Sequence, residues 1–361
     1  MKRTSREPIG FRLVDSGLLP DRALRAVVWA RVRIRSLRRP RAAATRAALV
    51  AELCEQNALG PVTAFVDEAN AQHYEVPTRF FELVLGPRLK YSSGCWPPAV
   101  RDLAGAEDAM LAITAERLGL DEGQDVLDLG CGWGSFTLWA APRFATSRFL
   151  AVSNSATQRE FIEARAASLG LTNVEVQTID VAQFEPPRRF HRVVSVEMFE
   201  HVVNHRELLR RISTWLRPDG ALLVHVCSHV DSAWRFDPND RNDWVARYFF
   251  AGGLLPSHDL LLHEQRDLRV ERVWRLPGTH YARTLDAWLA RMDEHEPEIR
   301  RLFAERYGSE ADAWWNRWRT FFIVCSEMCS VRIGEEYGIS HYRFVQSGPG
   351  EAGAGSVRRN E

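Results

Sequence analysis

Two short stretches hold residue types whose spacing fits chemistry. The first, EMFEH, places Glu197, Glu200 and His201 within five residues of one another. If a helix begins there, Glu200 and His201 lie three and four positions on and share a face with Glu197. A carboxylate beside an imidazole is a pair able to hold and move a proton near neutral pH. The same spacing also fits helix capping or a buried, mutually satisfied pair. The second stretch, VLDLGCGWGSFTLWAA (Val126 to Ala141), sets Gly130, Gly132 and Gly134 at alternate positions between two apolar runs, with Asp128 just before them.

A strand that ends in alternating glycines and runs into a helix leaves backbone N–H groups exposed at a close approach. In open parallel sheets ligands sit at the carboxyl ends of the strands. The dinucleotide pattern is G-x-G-x-x-G. The spacing here is D-L-G-C-G-W-G, which suits a nucleoside carrying an amino acid better than a pyrophosphate; the plain alternative is a tight structural turn. The next two strand ends extend the nucleoside reading. VSNSATQ offers Asn154 and Gln158, amides able to hydrogen-bond ribose hydroxyls where an acidic residue is more usual. Asp180, in IDV, can accept from an adenine amino group or can cap a turn.

The elements that must position these residues alternate. DVLDLG, RFLAVSN, VEVQTID, HRVVSVE and ALLVHVCS read as strands, separated by helical segments such as SATQREFIEARAASLG and HRELLRRISTWLRPDG. Apolar strands in a β-α-β rhythm predict an α/β fold, a doubly wound, mostly parallel sheet with helices on both faces. Residues 1–16 read as a flexible lead and 17–106 as an N-terminal helical region, with Pro40 breaking the pattern between Leu18 and Leu59. The catalytic domain is expected over 107–346. An aromatic-rich cap insertion interrupts it at about 229–330, with one long helical stretch from Thr284 to Cys329, and 347–361 reads as a disordered tail.

Composition narrows the class. Of 361 residues 45% are hydrophobic, enough for a large core. Lys and Arg total 47 against 47 Asp and Glu, which argues against a dedicated nucleic-acid binder. None of the six cysteines forms a C-x-x-C pair. Cys325 and Cys329 stand one helical turn apart, but no pattern is completed, so buried reduced thiols and no metal are expected. No apolar run approaches a membrane span and no signal peptide is visible, so the default setting is soluble and cytoplasmic. The Arg-rich helices before Leu59 fit either a membrane surface or a solvated face on a packed helix.

The glycine segment resembles motif one of the class I S-adenosylmethionine-dependent methyltransferases. QHYEVPTRFFELVLGPRLKYSSGCW (Gln72 to Trp96) and VVSVEMFEHV (Val193 to Val202) resemble the cyclopropane-fatty-acid-synthase-like branch. NDWVARYFF, RWRTFF and GEEYGISH are similar to segments of coclaurine N-methyltransferase and related alkaloid N-methyltransferases. The likeness covers about residues 17–346. It implies S-adenosylmethionine as cofactor. Tyr91 and Ser92 would lie near its methionine end, Gly130 and its neighbours around the amino-acid portion, Asn154 and Gln158 at the ribose, Asp180 and Val181 at the adenine, and Val196 along the pocket.

The reaction so implied is methyl transfer to the nitrogen of a small, aromatic or alkaloid-like amine. Glu197, Glu200 and His201 would strip or exclude the ammonium proton. Trp318, Phe321 and Phe322, with Tyr248 and Phe249, would stack on the amine or else belong to the core. The same resemblance leaves two alternatives. One is cyclopropane synthesis on a phospholipid alkene, with bicarbonate held near a cysteine and the Glu-His pair, and with membrane contact. The other is a non-catalytic protein that binds the cofactor. In the lipid enzymes a glycine stands where this chain has Glu197, and a cysteine where it has Ser93; both differences favour a cationic amine. Arg317 stands where the alkaloid enzymes show tyrosine, and its charge would disfavour a cationic substrate if it faced the pocket.

Overall fold

The computed structural model describes residues 8–38, 40, 42–64 and 76–347. The expected tail beyond 347, the first seven residues and the start of the Gln72–Trp96 segment lie outside the described residues.

Among the described residues three helices lead the chain: α1 (Ile9–Asp15), α2 (Asp21–Arg38) and α3 (Ala43–Asn57). The break between α2 and α3 falls at Pro40, where a helix cannot continue. The expected flexible lead of residues 1–16 is corrected in part, because α1 is helical and buries Phe11 against the helical cap. Next come α4 (Thr78–Val84) and α5 (Leu103–Leu118). The side chain of Asp102 accepts from Gly105 N–H at 2.8 Å to start α5, and Gly119 ends it in the left-handed conformation at φ 70°.

The βα rhythm then begins: β1 (Asp125–Leu129), α6 (Ser135–Ala140), β2 (Arg148–Ser153), α7 (Ala156–Ser168), β3 (Val174–Thr178), β4 (Phe190–Val196), α8 (His205–Trp215) and β5 (Leu216–His229). A two-stranded ribbon, β6 (Trp234–Arg235) with β7 (Leu254–Leu255), encloses the short α9 (Trp244–Tyr248). Strand β8 (Leu268–Pro277), helices α10 (Thr279–Glu294), α11 (Glu296–Tyr307) and α12 (Ala311–Ser330), and strand β9 (Tyr337–Gln346) complete the chain.

The main sheet has seven strands in the order β3-β2-β1-β4-β5-β9-β8. The first five are parallel, and β9 and β8 run antiparallel to their neighbours. The α/β, mostly parallel architecture expected from the sequence is therefore present. The expected cap insertion at 229–330 is not a single block, because β8 rejoins the main sheet inside it. Its expected long helix is three helices, interrupted at His295 and Gly308.

Two large apolar clusters set the site in place. One lies under the sheet and α8, with Leu127, Leu150, Phe190, Val224 and Trp215. The other joins α1, α2 and α4 to α10, α11 and α12 through Phe80, Phe81, Trp288, Trp318 and Phe322. The second cluster makes the N-terminal helices and the cap one roof over the carboxyl ends of the parallel strands.

Candidate active site

A cavity of about 320 Å³ opens at those strand ends, and every strand-end residue singled out in the sequence lines it except Gly134, where a Cβ would instead stand 2.7 Å from Ile162 Cγ1. Gly130, Gly132 and Gly134 adopt φ of 78°, 55° and 74°, a turn that side chains resist. A Cβ on Gly130 would stand 2.4 Å from Met198 Cγ, so this glycine is required by packing. A Cβ on Gly132 would meet nothing within 4 Å and Gly132 lines the cavity, so no neighbour in the fold calls for a glycine there beyond its φ. The expectation of free amides along the turn is corrected in detail. The N–H groups of Gly130 and Cys131 both donate to Val152 O at 2.9 Å, and Gly134 N–H donates to Cys131 O at 2.9 Å.

Asp128, Tyr91, Ser92, Asn154, Gln158, Asp180, Val181 and Val196 also line the cavity. Asp128 is buried beneath the turn and accepts from Thr137 Oγ1 at 2.8 Å, and burial pushes its carboxyl up to about 6. Gln158 sits in the first turn of α7, where its Oε1 accepts from Ser153 Oγ at 2.6 Å, so its amide nitrogen is the end left as a donor. Asp180 both caps its turn, accepting from Ala182 N–H at 2.7 Å, and borders the cavity.

The acid–imidazole cluster stands at the end of β4. Glu197 leaves the strand at φ 50°, and Phe199–His201 form a single 3-10 turn. The helical spacing expected from the sequence is therefore not what brings the three side chains together. A strand end followed at once by a tight turn does so, and Glu197, Glu200 and His201 all line the cavity. Glu197 Oε1 accepts from Ser93 N–H at 3.0 Å and lies 3.3 Å from His225 Nε2, while Oε2 accepts from Tyr281 O–H at 2.6 Å. Glu200 Oε1 accepts from Cys227 N–H at 2.8 Å, and its Oε2 has no hydrogen-bond partner among the described residues.

Electrostatics divides the roles. Burial raises both carboxyls, and Glu197 raises Glu200 further. Lys90, Tyr281 and the Ser93 amide counter the effect only at Glu197. Glu200 is therefore the more easily protonated of the pair and Glu197 the more easily ionised. Burial lowers His201 to about 4, so its ring is neutral at pH 7 and carries a lone pair. Lys90 is 2% exposed, donates to Ser93 O at 2.9 Å and to Ser92 Oγ, and is brought down by burial to about 8.

The acceptor side of the cavity is apolar: Phe236, Phe250, Leu255, Trp288, Phe321 and Met328 line it. Of the five aromatics expected there, Phe321 alone is on the wall. Tyr248, Phe249, Trp318 and Phe322 belong to the core behind it, with Phe249 stacked on Phe321 at 4.2 Å. Arg317 points away from the cavity, pairs with Asp15 at 2.6 Å and lies over the Tyr248 ring at 4.2 Å. Lys90, His225, Tyr281, Phe250 and Trp288 were not anticipated from the sequence. Phe250, the last residue of YFF, carried the only local signal.

The profile of the family described as mycolic acid cyclopropane synthetase matches residues 65–333. (S)-Coclaurine N-methyltransferase from Thalictrum flavum subsp. glaucum is 38% identical over 285 residues, 77% of this chain and 79% of that protein. Pavine N-methyltransferase from the same plant is 35% identical over 283 residues, 77% of this chain and 80% of that protein. A crystal structure of coclaurine N-methyltransferase bound to N-methylheliamine and SAH superposes with a TM-score of 0.90 at 31% identity, covering 94% of this chain and 99% of that one.

Proposed function

This chain belongs to the mycolic acid cyclopropane synthetase family, and we propose that it is an S-adenosylmethionine-dependent N-methyltransferase acting on a small, alkaloid-type amine. The observation that carries the reading is the Glu197 carboxylate, partly buried at the wall of a mostly apolar cavity, held by three donors and facing a neutral His201.

S-adenosylmethionine, when bound, supplies an electrophilic methyl group and is released as S-adenosylhomocysteine. The residues present fit it: a clear approach at Gly132, amides at Asn154 and Gln158, a carboxylate at Asp180 and apolar contacts from Val181 and Val196. Tyr91 and Ser92 border the same space between the glycine turn and Glu197.

Glu197 attracts the ammonium form of an amine and orients it, since opposite charges interact strongly where water is excluded. His201, neutral at pH 7, takes the proton that blocks the nitrogen lone pair. Phe250, Phe321 and Trp288 line the cavity, exclude water and offer aromatic surface to a bulky cation. The Arg317 charge is neutralised by Asp15 outside the cavity and does not oppose such a substrate.

The backbone at Glu197 separates this chemistry from lipid alkene modification. Its φ of 50° is a conformation that glycine takes freely, and a glycine stands there in the lipid enzymes this chain resembles. Here the strain, about 1–2 kcal/mol, is tolerated so that a carboxylate can stand in the cavity. That carboxylate also takes the N–H of Ser93, the residue in place of the lipid enzymes' cysteine. A greasy alkene gains nothing from a buried negative charge.

The test is transfer of a radiolabelled methyl group to a panel of ring amines, run beside phospholipid vesicles with and without bicarbonate. Label on amine and none on lipid is the expected result. Bicarbonate-dependent labelling of lipid replaces this reading with the lipid one. Calorimetric binding of the methyl donor with no transfer to any acceptor makes the chain a non-catalytic binder.

A further inference from the structure

Glu197 is the inner end of a row of buried polar groups that crosses the sheet. His225 on β5 pairs in register with Val196 on one side and with His341 of β9 on the other, and His341 pairs with Trp274 of β8. His225 Nε2 lies 3.3 Å from Glu197 Oε1, His225 Nδ1 lies 2.9 Å from His341 Nε2, and His341 Nδ1 lies 2.9 Å from an Arg117 guanidinium nitrogen. Arg117, in the last turn of α5, is half-buried and stacks over Trp274 at 4.9 Å. Its outer side borders a surface cleft that contains Glu116, Glu271 and Arg272. Both histidines are fully buried.

The direction of this row follows from one end. A guanidinium has five donors and no acceptor. Arg117 therefore obliges His341 Nδ1 to be a lone pair. A neutral His341 then carries its proton on Nε2 and donates to His225 Nδ1. His225 in turn carries its proton on Nε2 and donates to Glu197 Oε1. Burial, with Lys90 and Arg117 nearby, lowers both rings well below their usual range, which keeps them neutral. Every N–H in the row points at Glu197, so the row does not drain protons from the site.

We propose that Arg117 is a positioning residue for the reaction: it fixes His341 and His225 in one tautomer and so aims an N–H bond at the Glu197 carboxylate. This rests on the reading that the Glu197 carboxylate holds the amine. The other groups facing Glu197 are Lys90, Tyr281, Ser93, His201 and Glu200. Those facing the histidines are Lys90, Arg117 and each other, and Arg117 faces Glu116 and Cys95.

The test uses full-length protein with ¹⁵N-labelled histidine, together with the pH profile of kcat/KM. In the wild type both rings are expected as neutral Nε2–H tautomers from pH 5 to 8. Arg117→Met should release the tautomer of His341, move the acid limb of the profile to higher pH and lower kcat/KM by about ten- to a hundredfold, the loss of a hydrogen bond to a charged group. Arg117→Lys, which keeps a donor and no acceptor, should restore both signals, and Glu116→Gln should change neither. An Nδ1–H tautomer at either ring in the wild type overturns the proposal without any variant. So does an Arg117→Met enzyme with wild-type ring signals and pH profile. The ring signals need no turnover, so a protein that methylates no amine overturns the functional reading while the histidine row is judged separately.

Discussion

Tyr281 donates its hydroxyl hydrogen to Glu197 Oε2 at 2.6 Å, across 84 positions of sequence. The phenol is partly buried, and burial beside the carboxylate raises its pKa well above the usual range, so it stays a donor at any working pH. Tyr281→Phe keeps the ring packing and removes one of three donors to Glu197. The expected result is a fall in kcat/KM for the amine of about ten- to a hundredfold with an unchanged circular dichroism spectrum. A Tyr281→Phe enzyme with wild-type kinetics would show that the carboxylate does not depend on this contact.

His201 is the group expected to take the proton. Its lowered pKa, about 4 against an ordinary 6.5, means that no step in the rate profile between pH 5 and 8 belongs to it. His201→Ala should lower kcat by about 10²–10⁴, the usual cost of a positioned proton-transfer group. Calorimetric affinity for S-adenosylhomocysteine should persist. Wild-type turnover in this variant, measured on a confirmed amine, removes His201 from the mechanism.

Lys90 sets the acid limb. Glu197 must be ionised to hold a cation, and its pKa lies above the ordinary 4.5. Activity therefore rises with pH through that value and is lost as pH falls through it. Lys90, charged below about 8, favours the carboxylate. Lys90→Met removes that support, so the acid limb should move to higher pH, and in Glu197→Gln that limb should vanish. A limb that stays in place in Lys90→Met assigns it to some other group.

What could be read in advance was local. The glycine turn, Asn154 and Asp180 each sit at the carboxyl end of a strand whose apolar run is visible in one window of sequence, and Gln158 sits in the helix turn that follows one. His225 and Tyr281 carry no such mark. His225 is one polar residue inside LLVHVCS, and only the register of β5 against β4 and β9 brings it to Glu197. The aromatics of RWRTFF failed for a related reason. Helical spacing tells which residues share a face but not which face meets the cavity. α12 packs against α1, α2, α10 and α11, so Trp318 and Phe322 are core and Phe321 is wall. Strand β8 was hidden because LRVERVWRLP intersperses charges along an edge strand, where half the side chains face water.

The glycine turn gives a paired prediction. Gly130→Ala adds a Cβ 2.4 Å from Met198 Cγ and 2.7 Å from Met198 Cβ, and imposes a left-handed alanine as well. Overpacking of about 1–3 kcal/mol adds to a backbone cost of about 1–2 kcal/mol. Gly132→Ala carries only the backbone cost but puts a methyl group into the ligand's approach. Thermal melts should show Gly130→Ala as the less stable protein. Calorimetry should show that Gly132→Ala loses affinity for S-adenosylhomocysteine out of proportion to its stability. Full affinity in Gly132→Ala would place the nucleoside elsewhere.

The Asp15–Arg317 pair ties α1 to α12 through two hydrogen bonds of 2.8 and 2.6 Å, with Arg317 buried between them and the Tyr248 ring. Removing only the carboxylate strands a buried charge, which costs about 3–5 kcal/mol, less whatever Glu310 at 3.5 Å recovers. Asp15→Leu should therefore lower Tm clearly, while Asp15→Leu with Arg317→Met should regain most of the loss, since replacing both partners of a buried pair by apolar groups is often neutral. Neither residue lines the cavity, so kcat at a temperature where all the variants are folded should match the wild type. A double variant no more stable than the single one would mean that Arg317 holds the roof by its stacking and not by its charge. A change in kcat at equal folding would return Arg317 to the substrate's surroundings.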